Sequence, residues 1–84
     1  MVDKRFREMP HVKLFLKGEL AVKLPGGQAD FKIQEETTLG AFLSQHNLEA
    51  RHYVIVLNNI VAPPRTSVLS DGDLIVVYPQ MAGG

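Results

Sequence analysis

Cysteine is absent from the 84 residues. Its absence excludes disulfides, thiolate zinc sites, iron–sulfur clusters and any persulfide or thioester on the chain's own side chains. An excess of charge of one sign is also missing, because nine Lys and Arg balance nine Asp and Glu. That balance argues against a general nucleic-acid binder, whose affinity comes mainly from neutralised phosphates. No apolar run approaches the roughly 20 residues of a membrane span. The charged N-terminus lacks the apolar core of a signal peptide, so no membrane association is expected and the expected location is the cytoplasm. Neither a phosphate loop nor a dinucleotide fingerprint occurs. At this length one small domain is expected, burying roughly 60% of the unfolded chain's surface. A second domain, a repeat array or a deep cofactor cleft does not fit.

Apolar residues make up 45% of the chain and charged residues 21%, a globular balance rather than a disordered one. The charges are unevenly placed. Residues 1–23 carry a net charge of +3 and residues 24–50 a net charge of −3. Ordinary solvated faces account for this, with steering of a partner as the functional alternative.

Residues 1–10 (MVDKRFREMP) have no period and end in proline, which reads as a flexible N-terminal arm. From Val12 the pattern alternates. Val12, Leu14 and Leu16 point one way, and Lys13, Phe15 and Lys17 point the other, as in a half-buried strand. Gly18 interrupts, and alternation resumes with Leu20, Val22 and Leu24. Pro25-Gly26-Gly27-Gln28 forms a turn cluster, and Ala29, Phe31 and Ile33 alternate with Asp30 and Lys32. The expectation is an N-terminal hairpin in which Gly18 marks a bulge or a tight bend and the strand pattern resumes to Leu24.

A short helix follows. Thr37 or Thr38 can cap it. Leu39, Phe42, Leu43 and His46 share one face, and Asn47 suits a left-handed stop. Tyr53 to Leu57 is a continuous apolar run, expected to be a central strand buried on both faces. Asn58-Asn59 turns the chain into a short strand at Ile60-Val61-Ala62, which Pro63-Pro64 ends. Ser70-Asp71-Gly72-Asp73 is a strong turn. Leu74 to Tyr78 is expected to be a second buried strand that Pro79 terminates. One short helix covers only one sheet face, so the expected class is α+β: a mixed four- to five-stranded sheet with one short helix across one face. The domain is expected over residues 11–78 and a flexible tail over 79–84.

No enzyme constellation emerges. His11, His46 and His52 have no neighbouring histidine at metal-ligand spacing, so no metal is expected. Asp71 and Asp73 sit where a turn needs local hydrogen bonds to its backbone. Arg65 reads as a surface charge. Pro25-Gly26-Gly27 lacks the lysine and following helix of a phosphate cradle.

The ending Gly83-Gly84 stands apart. It lies about six residues past an expected strand, so the tail could reach up to roughly 20 Å from the sheet. Glycine has no Cβ and accepts positive φ, so such an end can enter a narrow cleft on another protein. There its carboxylate could attack the α-phosphate of ATP to give an acyl adenylate. Magnesium, phosphate contacts and a sulfur nucleophile would all come from the partner.

These residues resemble the ubiquitin-like sulfur carriers of the ThiS/MoaD family. The likeness runs through Val56-Leu57-Asn58-Asn59-Ile60-Val61, Pro64-Arg65, Leu69-Ser70-Asp71-Gly72-Asp73-Leu74-Ile75 and Met81-Ala82-Gly83-Gly84. It implies a ubiquitin-like β-grasp fold and covers residues 12–84 in element order. It implies that Gly84 is adenylated by an E1-like enzyme and converted to a thiocarboxylate, with Gly83 giving clearance. It implies that Pro79, Gln80, Met81 and Ala82 line the partner's channel. The chain would bind no cofactor of its own, and ATP and magnesium would be used by the activating enzyme. A sulfur donor, such as a cysteine desulfurase relay, and a sulfur-accepting synthase complete the implied partners. Asn58, Val61 and Pro64-Arg65 look like thiamin-type carriers, whereas Tyr78-Pro79 looks like molybdopterin-type carriers. Thr66-Ser67-Val68 stands where many thiamin-type carriers have a tryptophan.

Two alternatives stand beside the carrier. One is a modifier that joins Gly84 to a lysine amine. The other is an interaction module without catalysis, using an exposed Phe15 between Lys13 and Lys17 as its docking spot.

Overall fold

A computed structural model describes residues 9–48 and 53–79. β1 (His11–Leu16) begins the chain's ordered ladder, although Pro10 already takes part, because its carbonyl accepts from the Ile33 amide at 2.9 Å. Of the expected arm over 1–10, residues 1–8 lie outside the described ones. β2 (Gln28–Lys32) pairs antiparallel with β1, His11 opposite Lys32 and Phe15 opposite Gln28. β5 (Leu74–Pro79) lies parallel to β1 on its other side. β3 (Tyr53–Leu57) runs antiparallel to β5, and β4 (Ile60–Val61) closes the edge. The order β2-β1-β5-β3-β4 is a mixed five-stranded sheet with α1 (Leu39–Gln45) on one face, the β-grasp arrangement.

The helix forms where local chemistry asks for it. Thr38 is the cap, its Oγ1 accepting from the Ala41 amide at 3.2 Å, while Thr37 donates instead to the Gln34 carbonyl at 2.6 Å. Asn47 takes the left-handed conformation past the last turn, with φ 59°. Leu39, Phe42 and Leu43 are buried, and the core they complete is drawn from one face of the sheet: Val12, Leu14 and Leu16 from β1, Ile55 and Leu57 from β3, and Ile75 and Val77 from β5.

The strand pattern does not resume to Leu24. Gly18 turns the backbone with φ 59°, and residues 18–23 form a 3-10 segment that leads through a second short turn at Pro25–Gly27 into β2. Leu20 is buried beneath the sheet end, but Val22, expected on the same face, is 88% exposed. Successive residues of a 3-10 turn are rotated by about 120° rather than 180°, so positions two apart do not share a face.

The apolar runs of β3 and β5 are not buried on both faces, contrary to expectation. Val54 and Tyr78 are exposed, and Val56, Leu74 and Val76 are half-buried. A seven-residue helix covers one face only, so the alternate side chains of these strands meet solvent. β3 is interior, but the centre of the sheet is β5.

Candidate functional site: the end of the central strand and the open sheet face

β5 delivers the chain to its tail. Pro79 is the last residue of β5 and the register partner of Tyr53 on β3. It belongs to the sheet and is half-buried. On the other side the Lys17 amide donates to the Val77 carbonyl at 2.9 Å, the last parallel rung. The end of the central strand is thus held from both flanks. Gln80, Met81, Ala82, Gly83 and Gly84 lie outside the described residues.

The uncovered face of the sheet carries an apolar row. Phe15 is opposite Val76, Val76 opposite Val56, and Val56 opposite Val61, so four side chains from four strands line up across the sheet. Leu74, Tyr78 and Val54 flank this row on the same face, because they alternate with the buried Ile75, Val77 and Ile55. Phe15 is not fully exposed as expected. Its neighbours in the row leave it half-buried, and the Lys17 ammonium lies 5.5 Å from its ring centroid. Lys13 and Lys17 bracket it, and Asp30 on β2 lies opposite Lys13, so charges of both signs flank the apolar row on this side. Sequence reasoning missed the residues that join Phe15; the one signal that could have found them is that β3 and β5 are apolar at both parities while the chain offers one helix to cover them.

The Asp-Gly-Asp turn is structural. Asp71 Oδ1 accepts from the His11 amide at 2.8 Å, and the Gly72 amide donates to the His11 carbonyl at 2.8 Å. Asp73 Oδ2 accepts from the Ser70 amide at 2.7 Å, and its Oδ1 accepts from Asn58 Nδ2 at 2.9 Å. Asn58 Oδ1 in turn accepts from the Leu74 amide at 2.9 Å. This network ties the β3–β4 turn, where Asn58 and Asn59 have φ of 50° and 70°, to the start of β5. Two consecutive positive φ values are what a tight two-residue hairpin needs, and asparagine tolerates them best after glycine.

The remaining candidates are likewise occupied structurally. His46 Nδ1 lies 2.9 Å from the Phe42 carbonyl, and its ring packs 4.5 Å from those of Phe31 and Phe42. His11 Nδ1 is 3.6 Å from Asp71. The Arg65 carbonyl receives the Gly40 amide, fixing the start of α1, and its side chain is at the surface. His52 lies outside the described residues. Among the described residues no three His, Asp or Glu side chains are grouped to hold a metal, and no helix is long and apolar enough to cross a membrane. What the described arrangement offers another protein is an open apolar sheet face.

The sequence model of the ThiS family matches residues 18–84. Among solved structures, the chain is similar to SAMP1 from Haloferax volcanii, with a TM-score of 0.72, 16% identity, and coverage of 88% of this chain and 99% of that one. It is similar to the small archaeal modifier protein 1 from Methanosarcina acetivorans, with a TM-score of 0.68, 17% identity and coverage of 93% and 100%. It is also similar to a putative molybdopterin converting factor, subunit 1, from Pyrococcus furiosus, with a TM-score of 0.67, 17% identity and coverage of 86% and 99%. At these identities the structures bear on the fold, and they agree with the β-grasp reading. Comparison with curated proteins gives no match.

Proposed function

The chain belongs to the ThiS family of ubiquitin-like carriers and modifiers, and we propose that within it the chain is a sulfur carrier whose reactive group is the carboxylate of Gly84. The carboxylate attacks the α-phosphate of ATP in an E1-like partner, forming the acyl adenylate and releasing pyrophosphate. A sulfur nucleophile supplied by the partner machinery then displaces AMP, so that sulfur takes the place of one carboxylate oxygen. The thiocarboxylate passes its sulfur to a synthase of cofactor biosynthesis, of thiamin-thiazole or molybdopterin type. ATP, magnesium and the sulfur donor belong to the partners. This chain contributes the carboxylate, the clearance at Gly83 and the surface that docks it.

The observation that supports the reading is where β5 ends. The central strand ends five residues before Gly84, and the open face of the sheet carries an apolar row flanked by Lys13, Lys17 and Asp30. Such a face matches a partner surface that is apolar at its centre and charged at its rim. Asn58, thiamin-like by resemblance, works here as a turn residue bonded to Asp73 and Leu74, so it supports the fold rather than a choice of pathway.

The test is intact and C-terminal-peptide mass spectrometry after co-expression with an E1-like enzyme, a sulfur source and ATP. Replacement of oxygen by sulfur on the last peptide, confirmed with a thiol-specific label, supports the carrier. An unmodified carboxylate on a chain presented with a competent enzyme overturns it. A second reading, conjugation of Gly84 to lysine amines, is favoured by the structural neighbours named as modifiers. It predicts a ladder of higher-mass conjugates in the host that disappears with the terminal glycines.

A further inference from the structure

Gly18 and Pro79 are 61 positions apart in the chain, yet they meet at the end of the central strand. A Cβ added at Gly18 would stand 2.9 Å from Pro79 Cγ and 3.2 Å from Pro79 Cδ. The first distance is shorter than a side-chain carbon tolerates, and although Cγ can give by a change of ring pucker, Cδ at 3.2 Å has no such freedom. Cδ is bonded to the backbone nitrogen of Pro79, so moving it moves the strand end. Gly18 also has φ 59°, and this turn brings the following 3-10 segment across the end of β5. Opposite, Tyr53 pairs with Pro79 across the β3 ladder. Pro79, the last residue of β5, is therefore held between a residue with no side chain and a strand partner, with its own φ fixed by the pyrrolidine ring.

We propose that Gly18 is a positioning residue for the C-terminal tail: its missing Cβ lets the Pro79 ring close against it, and this contact sets the direction in which the chain leaves the sheet. The functional consequence rests on the reading of Gly84 as the activated group. If the partner grips the open sheet face and receives the tail in a separate cleft, the direction at Pro79 decides how easily the tail finds that cleft. Small misplacements of a reacting group are costly, up to about a hundredfold for 1 Å. Four residues lie between Pro79 and Gly84 and absorb part of any error, so the expected loss is smaller, on the order of tenfold.

The experiment is a double-mutant cycle on the full chain with wild type, Gly18→Ala, Pro79→Ala and the pair together. The chain has no cysteine, so Ala82→Cys provides a single site for a nitroxide label. Paramagnetic broadening of the sheet amides then maps where the tail goes. Unlabelled protein without Ala82→Cys is assayed by ATP–pyrophosphate exchange with an E1-like enzyme. In the wild-type Pro79 background, Gly18→Ala is expected to shift the broadening pattern and to lower kcat/KM for adenylation about tenfold. In the Pro79→Ala background the offending ring atoms are gone, and Gly18→Ala is expected to change neither readout. An equal effect of Gly18→Ala in both backgrounds would mean backbone strain at residue 18 alone and would overturn the proposal. So would an unchanged broadening pattern. If Gly18→Ala does not fold, Pro79→Ala decides by itself: the proposal requires its broadening pattern to spread, and an unaltered pattern refutes it. Absence of exchange with wild-type protein would count against the carrier reading, while the broadening cycle still decides the positioning role.

Discussion

Replacing Asp73 with alanine removes two acceptors at once: Oδ2 from the Ser70 amide at 2.7 Å and Oδ1 from Asn58 Nδ2 at 2.9 Å. Hydrogen bonds to a charged acceptor contribute about 1.5–3 kcal/mol each when buried. Asp73 is half-buried and Asn58 exposed, so water reaches the freed donors and the lower end applies. The two bonds also share one carboxylate, which makes their losses less than additive. The expected cost is about 2 kcal/mol, and for a domain of this size that lowers Tm by roughly 8–16 °C. Urea unfolding reads it directly, with the midpoint falling at constant m. A cycle with Asn58→Ala should show a coupling of about 1 kcal/mol, because the two side chains bond to each other. Activation of the terminal carboxylate, measured well below the new Tm, should stay as in wild type. A change in stability below about 0.5 kcal/mol, or no coupling to Asn58, would refute the network as the reason for the Asp-Gly-Asp motif. Loss of activation in the folded variant would refute its assignment as purely structural.

Three other outcomes test separate parts of the molecule. Val61→Asp places a charge at the exposed end of the apolar row; stability should change by less than about 0.5 kcal/mol, whereas KM for the activating enzyme should rise roughly tenfold, equivalent to about 1.4 kcal/mol of binding. An unchanged KM in both Val61→Asp and Phe15→Ala would exclude docking through this face. Thr38→Ala removes the cap of α1 and should cost about 1 kcal/mol in denaturant unfolding, with no effect there contradicting the assigned capping bond. Deleting Gly83 and Gly84 should leave the unfolding curve unchanged and abolish ATP-dependent activation; residual activation would remove Gly84 from its proposed role.

The helix was legible because its signals are local. Thr38, the Leu39–Phe42–Leu43 stripe and Asn47 each act within a turn of where they stand. The turns at Asn58-Asn59 and at Asp71 to Asp73 were legible for the same reason, although the bond between them, across fifteen positions, was not. Residues 18–23 read as a strand because period two in Leu20, Val22 and Leu24 suits one, and the one local signal against it, Gly18, serves a bulge as well as a tight bend. Only the left-handed Gly18 and the burial of Leu20 beneath the sheet end make the segment a 3-10 turn. The open face was hidden by a similar ambiguity. A continuous apolar strand reads as doubly buried, and the same run serves equally well when one side packs inward and the other awaits a partner. Phe15 was recognised by its contrast with Lys13 and Lys17, but Val56, Val61 and Val76 offered no contrast with their neighbours. The contact between Gly18 and Pro79 required register, which no single segment contains.

The chemistry assigned to this chain needs almost nothing from its side chains, and the structure divides its tasks accordingly. Val12, Leu14, Phe42, Ile75 and Val77 hold the fold from one side of the sheet. The opposite side leaves Phe15, Val56, Val61 and Val76 for recognition, at a cost in solvent-exposed apolar area that a carrier recovers only on binding. Because side chains on the two faces alternate along the same strands, substitutions should partition by parity: in β5, changes at residues 75 and 77 should unfold the protein, whereas changes at 74, 76 and 78 should mainly weaken partner binding. In the proposed function the terminal carboxylate becomes reactive only when another protein supplies ATP, metal and sulfur. Selection for reactivity therefore does not compete with selection for stability within the domain, and the two meet only where β5 runs out, at Pro79.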